Sequence, residues 1–138
     1  MPNNIYIDTN IIIDICDDKR PSHEASLAKI ATLQKELNEL YINSDTYANL
    51  FYILRSRSKY KLDRVLSKMR LIASIFTLVT IEHDDIENAI QLCEHKETPC
   101  NDYEDTMQYV CAKKIGADLI VTNDKGFVGL DIEVSGTI

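Results

Sequence analysis

The sequence predicts an α/β fold: a three-layer α/β/α sandwich around a central, mainly parallel sheet. Two observations predict it. Short runs of β-branched, aromatic and aliphatic residues recur along the chain, as in Ile5-Tyr6-Ile7, Tyr41-Ile42 and Leu119-Ile120-Val121. Between them lie longer stretches with apolar residues at steps of three and four, the spacing of helical crossovers that parallel strands need. At 138 residues the chain fits one domain spanning positions 1–138.

Taken in order, Asn4 to Ile7 reads as a buried strand ending in an acid, Asp8, and Thr9 to Cys16 as a helix carrying four isoleucines. Asp17-Asp18-Lys19-Arg20-Pro21 breaks it. Ser22 to Leu40 reads as one long amphipathic helix, with Leu27, Ile30, Leu33, Leu37 and Leu40 on a stripe. Tyr41 to Asn43 is a second strand, and Ser44 is the expected cap of a helix presenting Tyr47, Leu50, Phe51 and Leu54. The helical pattern resumes from Leu62 to Ala73, and Phe76 to Val79 is a third strand. Glu82 to Cys93 is a helix expected to turn Ile86, Ala89, Ile90 and Cys93 inward. Asn101 is the expected cap of a helix from Asp102 to Ile115, stopped by Gly116. Asp118 to Val121 is a fourth strand, Asn123 to Gly126 a turn, and Ile132 to Val134 a final edge strand.

Hydrophobic residues make up 45% of the chain, enough for a core, yet no apolar run reaches the roughly 18 residues of a membrane span. Met1-Pro2-Asn3-Asn4 has neither the basic start nor the apolar core of a signal peptide, so a cytoplasmic protein without membrane association is expected. Cys16, Cys93, Cys100 and Cys111 form no CxxC pair. Cys93, His95 and Cys100 lack a fourth zinc ligand at a sensible spacing, so idle or buried thiols are expected.

Net charge is −7, which argues against simple electrostatic adhesion to nucleic acid. Its distribution says more. Between Arg55 and Arg70 the chain carries Arg55, Arg57, Lys59, Lys61, Arg64, Lys68 and Arg70 against only Asp63, a segment of +6. A basic strip beside an acidic body suits an enzyme that holds a polyanion near carboxylates; the plainer reading is a solvated helix face.

The acids carry the sharper signal. In open parallel sheets, ligands bind beyond the carboxyl ends of the strands. Asp8 follows the first strand there, and Asp124 lies just past the fourth. Asp102 and Asp105, three apart at a helix start, share a face. Carboxylates gathered this way raise one another's pKa unless a hard divalent cation such as Mg²⁺ or Mn²⁺ neutralises them. The chemistry that follows is hydrolysis of a phosphodiester by metal-activated water. Taken singly, each acid has a plainer role: Asp8 as a cap, Asp102 and Glu104 as first-turn acids favouring the helix dipole, Asp124 as a turn residue. There is no Gly-x-Ser-x-Gly elbow, no P-loop and no GxGxxG, and the chain has only four glycines with which to build one.

Ile7-Asp8-Thr9-Asn10 resembles the opening Asp-Thr-Asn of PIN domains. Asp102-Tyr103-Glu104-Asp105-Thr106-Met107-Gln108 is similar to the Asp-Phe-Glu-Asp-Ala-Leu-Gln helix start of a bacterial branch of that family, and Ile120 to Phe127 to its closing segment. The resemblance runs from Asn4 to about Val134. It implies a PIN-fold sandwich and Mg²⁺- or Mn²⁺-dependent RNA cleavage by Asp8, Asp105 and Asp124, with Asp102 as the extra acid of this branch. It also implies the toxin of a VapC-type toxin–antitoxin pair, a cognate antitoxin helix in an apolar groove between the first two helices and the one bearing Tyr47, and a homodimer. On this reading Arg55, Arg57, Lys59 and Lys61 hold RNA phosphates. Two departures stand out. Asn49 occupies a position where the family usually has an acid, and Gly126 one where Asp is common. They leave a second expectation open: a catalytically weakened PIN fold retained to bind RNA or protein.

Overall fold

The computed structural model describes residues 3–138; the reading of the first two residues as free of a leader segment lies outside it. In chain order the elements are β1 (Asn4–Ile7), α1 (Thr9–Cys16), α2 (His23–Lys35), β2 (Glu39–Asn43), α3 (Asp45–Ser56), α4 (Leu62–Ile75), β3 (Thr77–Val79), α5 (His83–Glu94), α6 (Tyr103–Lys114), β4 (Leu119–Val121) and β5 (Glu133–Ser135).

The strands form one sheet in the order β3-β2-β1-β4-β5, and every pairing is parallel. Strand β1 lies at the centre, with Tyr6 opposite Tyr41 on one side and Ile120 on the other. Its period of two divides the molecule into layers. Ile5 and Ile7 enter a core built with α1, α2, α3 and α4, whereas Tyr6 enters a second core with α5 and α6. Full burial of side chains such as Ile12, Leu50 and Ile72 stabilises the fold by roughly 1.5–3 kcal/mol each. The chain winds from β1 outward to β3, then crosses back to β4 on the other flank of β1. That reversal opens a crevice beyond the carboxyl ends of β1 and β4, where such sheets take ligands.

The structure corrects several local expectations. The long helix ends at Lys35, because Leu37 adopts φ 61, a left-handed turn that no helix continues through. Leu37 is 75% exposed, and Leu40 belongs to β2. Ser44 makes no side-chain cap; Asn43 Oδ1 instead accepts from Thr46 N at 3.1 Å, and Ser44 Oγ accepts from Ile81 N. The cap of α6 is Asp102 rather than Asn101. On α5, Ile86 and Ile90 stay 38% and 40% exposed, while Asp85 turns inward. Asp85 accepts from Glu82 N at 2.9 Å and from Lys114 Nζ at 2.8 Å, and this capping box and ion pair set the helix's rotation. An apolar groove of about 190 Å³ does form beside α1 and α2, but α4 closes it, through Leu71 and Ile75, not α3. Among the described residues, no helix is long and apolar enough to cross a membrane.

Candidate active site

Asp8 leaves the end of β1 in extended conformation and is 1% exposed. A buried carboxylate must be hydrogen-bonded, and both of its oxygens are. Oδ1 accepts from Gln108 Nε2 at 2.8 Å, and Oδ2 from Thr122 Oγ1 at 2.6 Å. Asn10 N also approaches Oδ1 at 3.5 Å, so the expected capping of α1 is present but long. Burial pushes the Asp8 carboxyl above its usual pKa; the bonds from Thr122, Gln108 and Asn10 oppose this, and the charge of Asp124 adds to it. The Gln108 amide is held in turn, its Oε1 accepting from Thr9 N at 3.0 Å.

On α6, Asp102 Oδ1 accepts from Asp105 N at 3.1 Å, so the first acid caps the helix that carries the second. Asp105 lies near enough to Asp8, Asp102 and Asp124 for their charges to act on its carboxyl. Burial, the charge of Asp102, the approach of the Asp124 carboxyl, and the charge of Asp8 push Asp105 up to about 7. Asp124 is fixed from two sides. Its N–H donates to Thr122 Oγ1 at 3.0 Å, and its Oδ1 accepts from Gly126 N at 2.8 Å. Thr122 therefore ties Asp8 to Asp124, giving its proton to one and taking a backbone N–H from the other. A side chain at position 126 would begin 3.3 Å from Asp124 Oδ1, so the glycine suits this loop.

The structure thus brings Asp8, Asp102, Asp105 and Asp124 to one crevice, from two strand ends and one helix start. It also brings residues the sequence had given plainer roles. Asn49, on α3, donates from Nδ2 to Glu104 Oε1 at 3.4 Å. Glu104 was read as a first-turn helix acid, yet burial and the charges of Asp102, Asp8 and Asp45 raise its pKa. Gln108 and Thr122 were passed over, since a buried glutamine and a threonine carry no sequence signal of their own. Arg55, Arg57, Lys59 and Lys61 lie elsewhere. They sit at the far end of α3, roughly 15–18 Å from its first turn by helical rise. There Lys59 and Lys61 line a cavity with Lys19 and Arg64 around Tyr60, whereas Arg55 Nη1 donates to Tyr60 O at 3.3 Å.

Among the described residues, no Lys, Arg or His ion-pairs with Asp8, Asp102, Asp105, Asp124 or Glu104. Nor do three acids stand at a spacing that would encircle one ion. The donor set still fits a small divalent cation, which keeps most of its waters and takes only one or two carboxylates directly. The raised Asp105 carboxyl, crowded by the charges of Asp102, Asp8 and Asp124, marks where positive charge is wanted.

Comparison with known proteins identifies the family. A family model described as PIN domain matches residues 5–133. Ribonuclease VapC1 of Aquifex aeolicus (strain VF5) is 36% identical over 133 residues, which cover 96% of this chain and 90% of that protein. Among solved structures, VapBC2 from Rickettsia felis, bound to a DNA fragment from its promoter, superposes with a TM-score of 0.72 at 20% identity, covering 96% of this chain and 98% of that one. VapC20 of Mycobacterium tuberculosis, a sarcin-ricin-loop-cleaving toxin, gives 0.71 at 13% identity, covering 91% and 98%. With the family match spanning the sheet from β1 into β5, and a relative more than a third identical along its length, the chain belongs to the PIN-domain family.

Proposed function

We propose that this protein is a metal-dependent endoribonuclease that hydrolyses RNA phosphodiester bonds, and the toxin of a type II toxin–antitoxin pair. The observation that carries the reading is the gathering of acids, in which Thr122 ties Asp8 to Asp124 and Asp102 caps the helix that bears Asp105, with no basic residue among the described ones ion-paired to any of them. The identity to a ribonuclease VapC along nearly the whole chain supports it.

In this reading Asp8, Asp105 and Asp124 would hold Mg²⁺ or Mn²⁺, directly or through water, with Asp102 assisting. What such a cation would supply when bound is polarisation of a phosphoryl oxygen and a lower pKa for a water. The protein's own groups do the rest. Thr122 and Gln108 fix both oxygens of Asp8, leaving it no rotational freedom. Asp105, pushed up to about 7, changes its protonation state near neutral pH. Asn49 contributes a neutral amide and steadies Glu104. Arg55, Arg57, Lys59 and Lys61 hold RNA phosphates away from the cut. Hydrolysis adds water across the P–O bond, the hydroxyl going to phosphorus and the proton to the leaving oxygen.

The groove between α1, α2 and α4 suits the amphipathic helix of an antitoxin, since Leu27 and Leu71 at its edge are 40% and 57% exposed. The test of the catalytic claim is cleavage of structured RNA with Mn²⁺ or Mg²⁺. Wild type should cut and Asp8→Asn should not; equal cleavage by both would end the claim. An inactive wild type that still binds RNA after divalent ions are removed would favour the weakened-module reading that Asn49 and Gly126 suggest.

A further inference from the structure

A cavity of about 290 Å³ opens beside Asp8, between the first turns of α3 and α6. Ala48 and Met107 give it apolar lining, and Tyr103, 45% exposed, gives it an aromatic wall. Its remaining lining is polar, and the polar groups divide into spent and free. The Gln108 amide is engaged at both ends, by Asp8 and by Thr9. The Thr9 hydroxyl bonds Thr46, and Asn43 Oδ1 takes Thr46 N. Asp45, Glu104 and the Oδ1 of Asn49 remain. Asn49 spends one N–H on Glu104 and keeps the other, yet two carboxylates stand beside it, so what this rim mainly offers a ligand is hydrogen-bond acceptors.

We propose that this cavity receives an amino-bearing nucleobase of the RNA strand being cut, guanine by preference; the proposal rests on the nuclease reading. A rim in which carboxylate oxygens predominate selects for donors. The Watson–Crick edge of guanine carries a ring N–H and an amino group side by side, matched to the two oxygens of one carboxylate. Uracil offers a single N–H between two carbonyl oxygens, which would face carboxylates. Adenine and cytosine offer one amino group beside a bare ring nitrogen. Tyr103 supplies the stacking face that single-stranded bases use. The apolar and aromatic lining distinguishes the cavity from a cation site, which a hard ion would need surrounded by oxygens. Its adjacency to Asp8, through Thr9 and Gln108, puts the bound base next to the phosphate at the acid cluster.

The experiment has two arms. In the first, GMP, AMP, CMP and UMP are titrated by calorimetry against the full chain in EDTA, with Tyr103→Ala, Glu104→Gln and Asp45→Asn/Glu104→Gln as variants whose folding is checked by circular dichroism. GMP should bind about tenfold or more tighter than UMP, Tyr103→Ala should weaken all four, and the double variant should erase the preference. Equal binding of the four nucleotides, or an undiminished preference in the double variant, overturns the proposal. So does displacement of GMP by Mn²⁺ at this rim, which would make it a cation site. In the second arm, oligonucleotides varied beside a single cut are digested with Mn²⁺. Cutting without base preference removes the cavity proposal and leaves the nuclease reading standing. Selective GMP binding without any cutting removes the nuclease reading and leaves the cavity as a nucleobase site.

Discussion

Gln108 donates from Nε2 to Oδ1 of Asp8 at 2.8 Å, although 100 positions separate them, and both are buried. The same amide accepts from Thr9 N at 3.0 Å. One side chain on α6 therefore fixes the residue that ends β1 and the residue that begins α1. Gln108→Ala leaves a buried N–H without a partner and should cost about 1–3 kcal/mol in denaturant unfolding. Freed of its donor, Asp8 loses its orientation, so kcat for RNA should fall by about 10- to 100-fold with KM little changed. Gln108→Glu sets a like charge against Asp8 and raises its pKa, so the acid limb of the pH–rate profile should move to higher pH. A profile that stays in place while only stability falls would reduce Gln108 to a packing residue.

The raised Asp105 carboxyl has a sign that can be worked out. Unfolded, an aspartate titrates near 3.9; folded, Asp105 titrates at about 7. Between those values the folded chain holds the extra proton, so stability contributed by this group falls as pH rises from about 4 to 7. Asp105→Asn removes the unfavourable charge. In EDTA it should raise the Tm at pH 8 by a few degrees, on the order of 1 kcal/mol, and should do little at pH 4. Saturating Mn²⁺ should stabilise wild type at pH 8 and not the variant. If the variant is equally destabilised at both pH values, like-charge repulsion is not what shifts the group.

How far the sequence reached depends on range. The buried runs of β1, β2 and β4 were legible because burial on both faces leaves no polar position to confuse the period. The end of α2 was not, because Leu37 and Leu40 continue a helical spacing while the backbone turns left-handed at Leu37. Rotation of α5 was missed because its inward residue is Asp85, and only the distant Lys114 makes that burial tolerable. At the site, Asp8, Asp102, Asp105 and Asp124 stood out by type and position. Thr122, Gln108 and Glu104 act through partners far away in the chain. Their alignment is a product of the fold, and no local pattern announces it.

Tyr6 tests the opposite case, a buried polar group left alone. Its ring lies at the centre of the sheet with 0% exposure, and its hydroxyl has no hydrogen-bond partner among the described residues. Burial, with the charges of Cys111 and Asp8, drives its pKa well above the usual tyrosine value. A hydroxyl buried unpaired costs roughly 1–3 kcal/mol, so Tyr6→Phe should be neutral or stabilising by about 1 kcal/mol in urea unfolding. A loss of more than about 1 kcal/mol would mean that the hydroxyl has a partner, most simply a buried water.

The basic corner at the far end of α1 and α3 makes the last prediction. Ser58 Oγ donates to buried Asp17 at 2.5 Å, Tyr60 Oη donates to Asp18 at 3.0 Å, and Lys19 Nζ donates to Ser58 O at 3.0 Å. These bonds hold Lys59 at φ 64, a conformation a lysine adopts only when its surroundings impose it. Lys19, Arg64 and Lys68 each lie about 5 Å from the Tyr60 ring centre. A corner held this firmly presents fixed positive charge, the arrangement that binds backbone phosphates without reading bases. Lys61→Ala and Lys19→Ala should each lower the slope of log affinity against log salt by about 0.7, for single-stranded RNA bound in EDTA. The loss should be the same for every sequence, and kcat at saturating RNA should be unchanged. The sequence strip alone would have nominated Arg55 over Lys19. The structure reverses that order, because both donate to a main-chain carbonyl but only Lys19 also lines the cavity, so an Arg55→Ala effect larger than that of Lys19→Ala would argue against the corner as the phosphate-holding site.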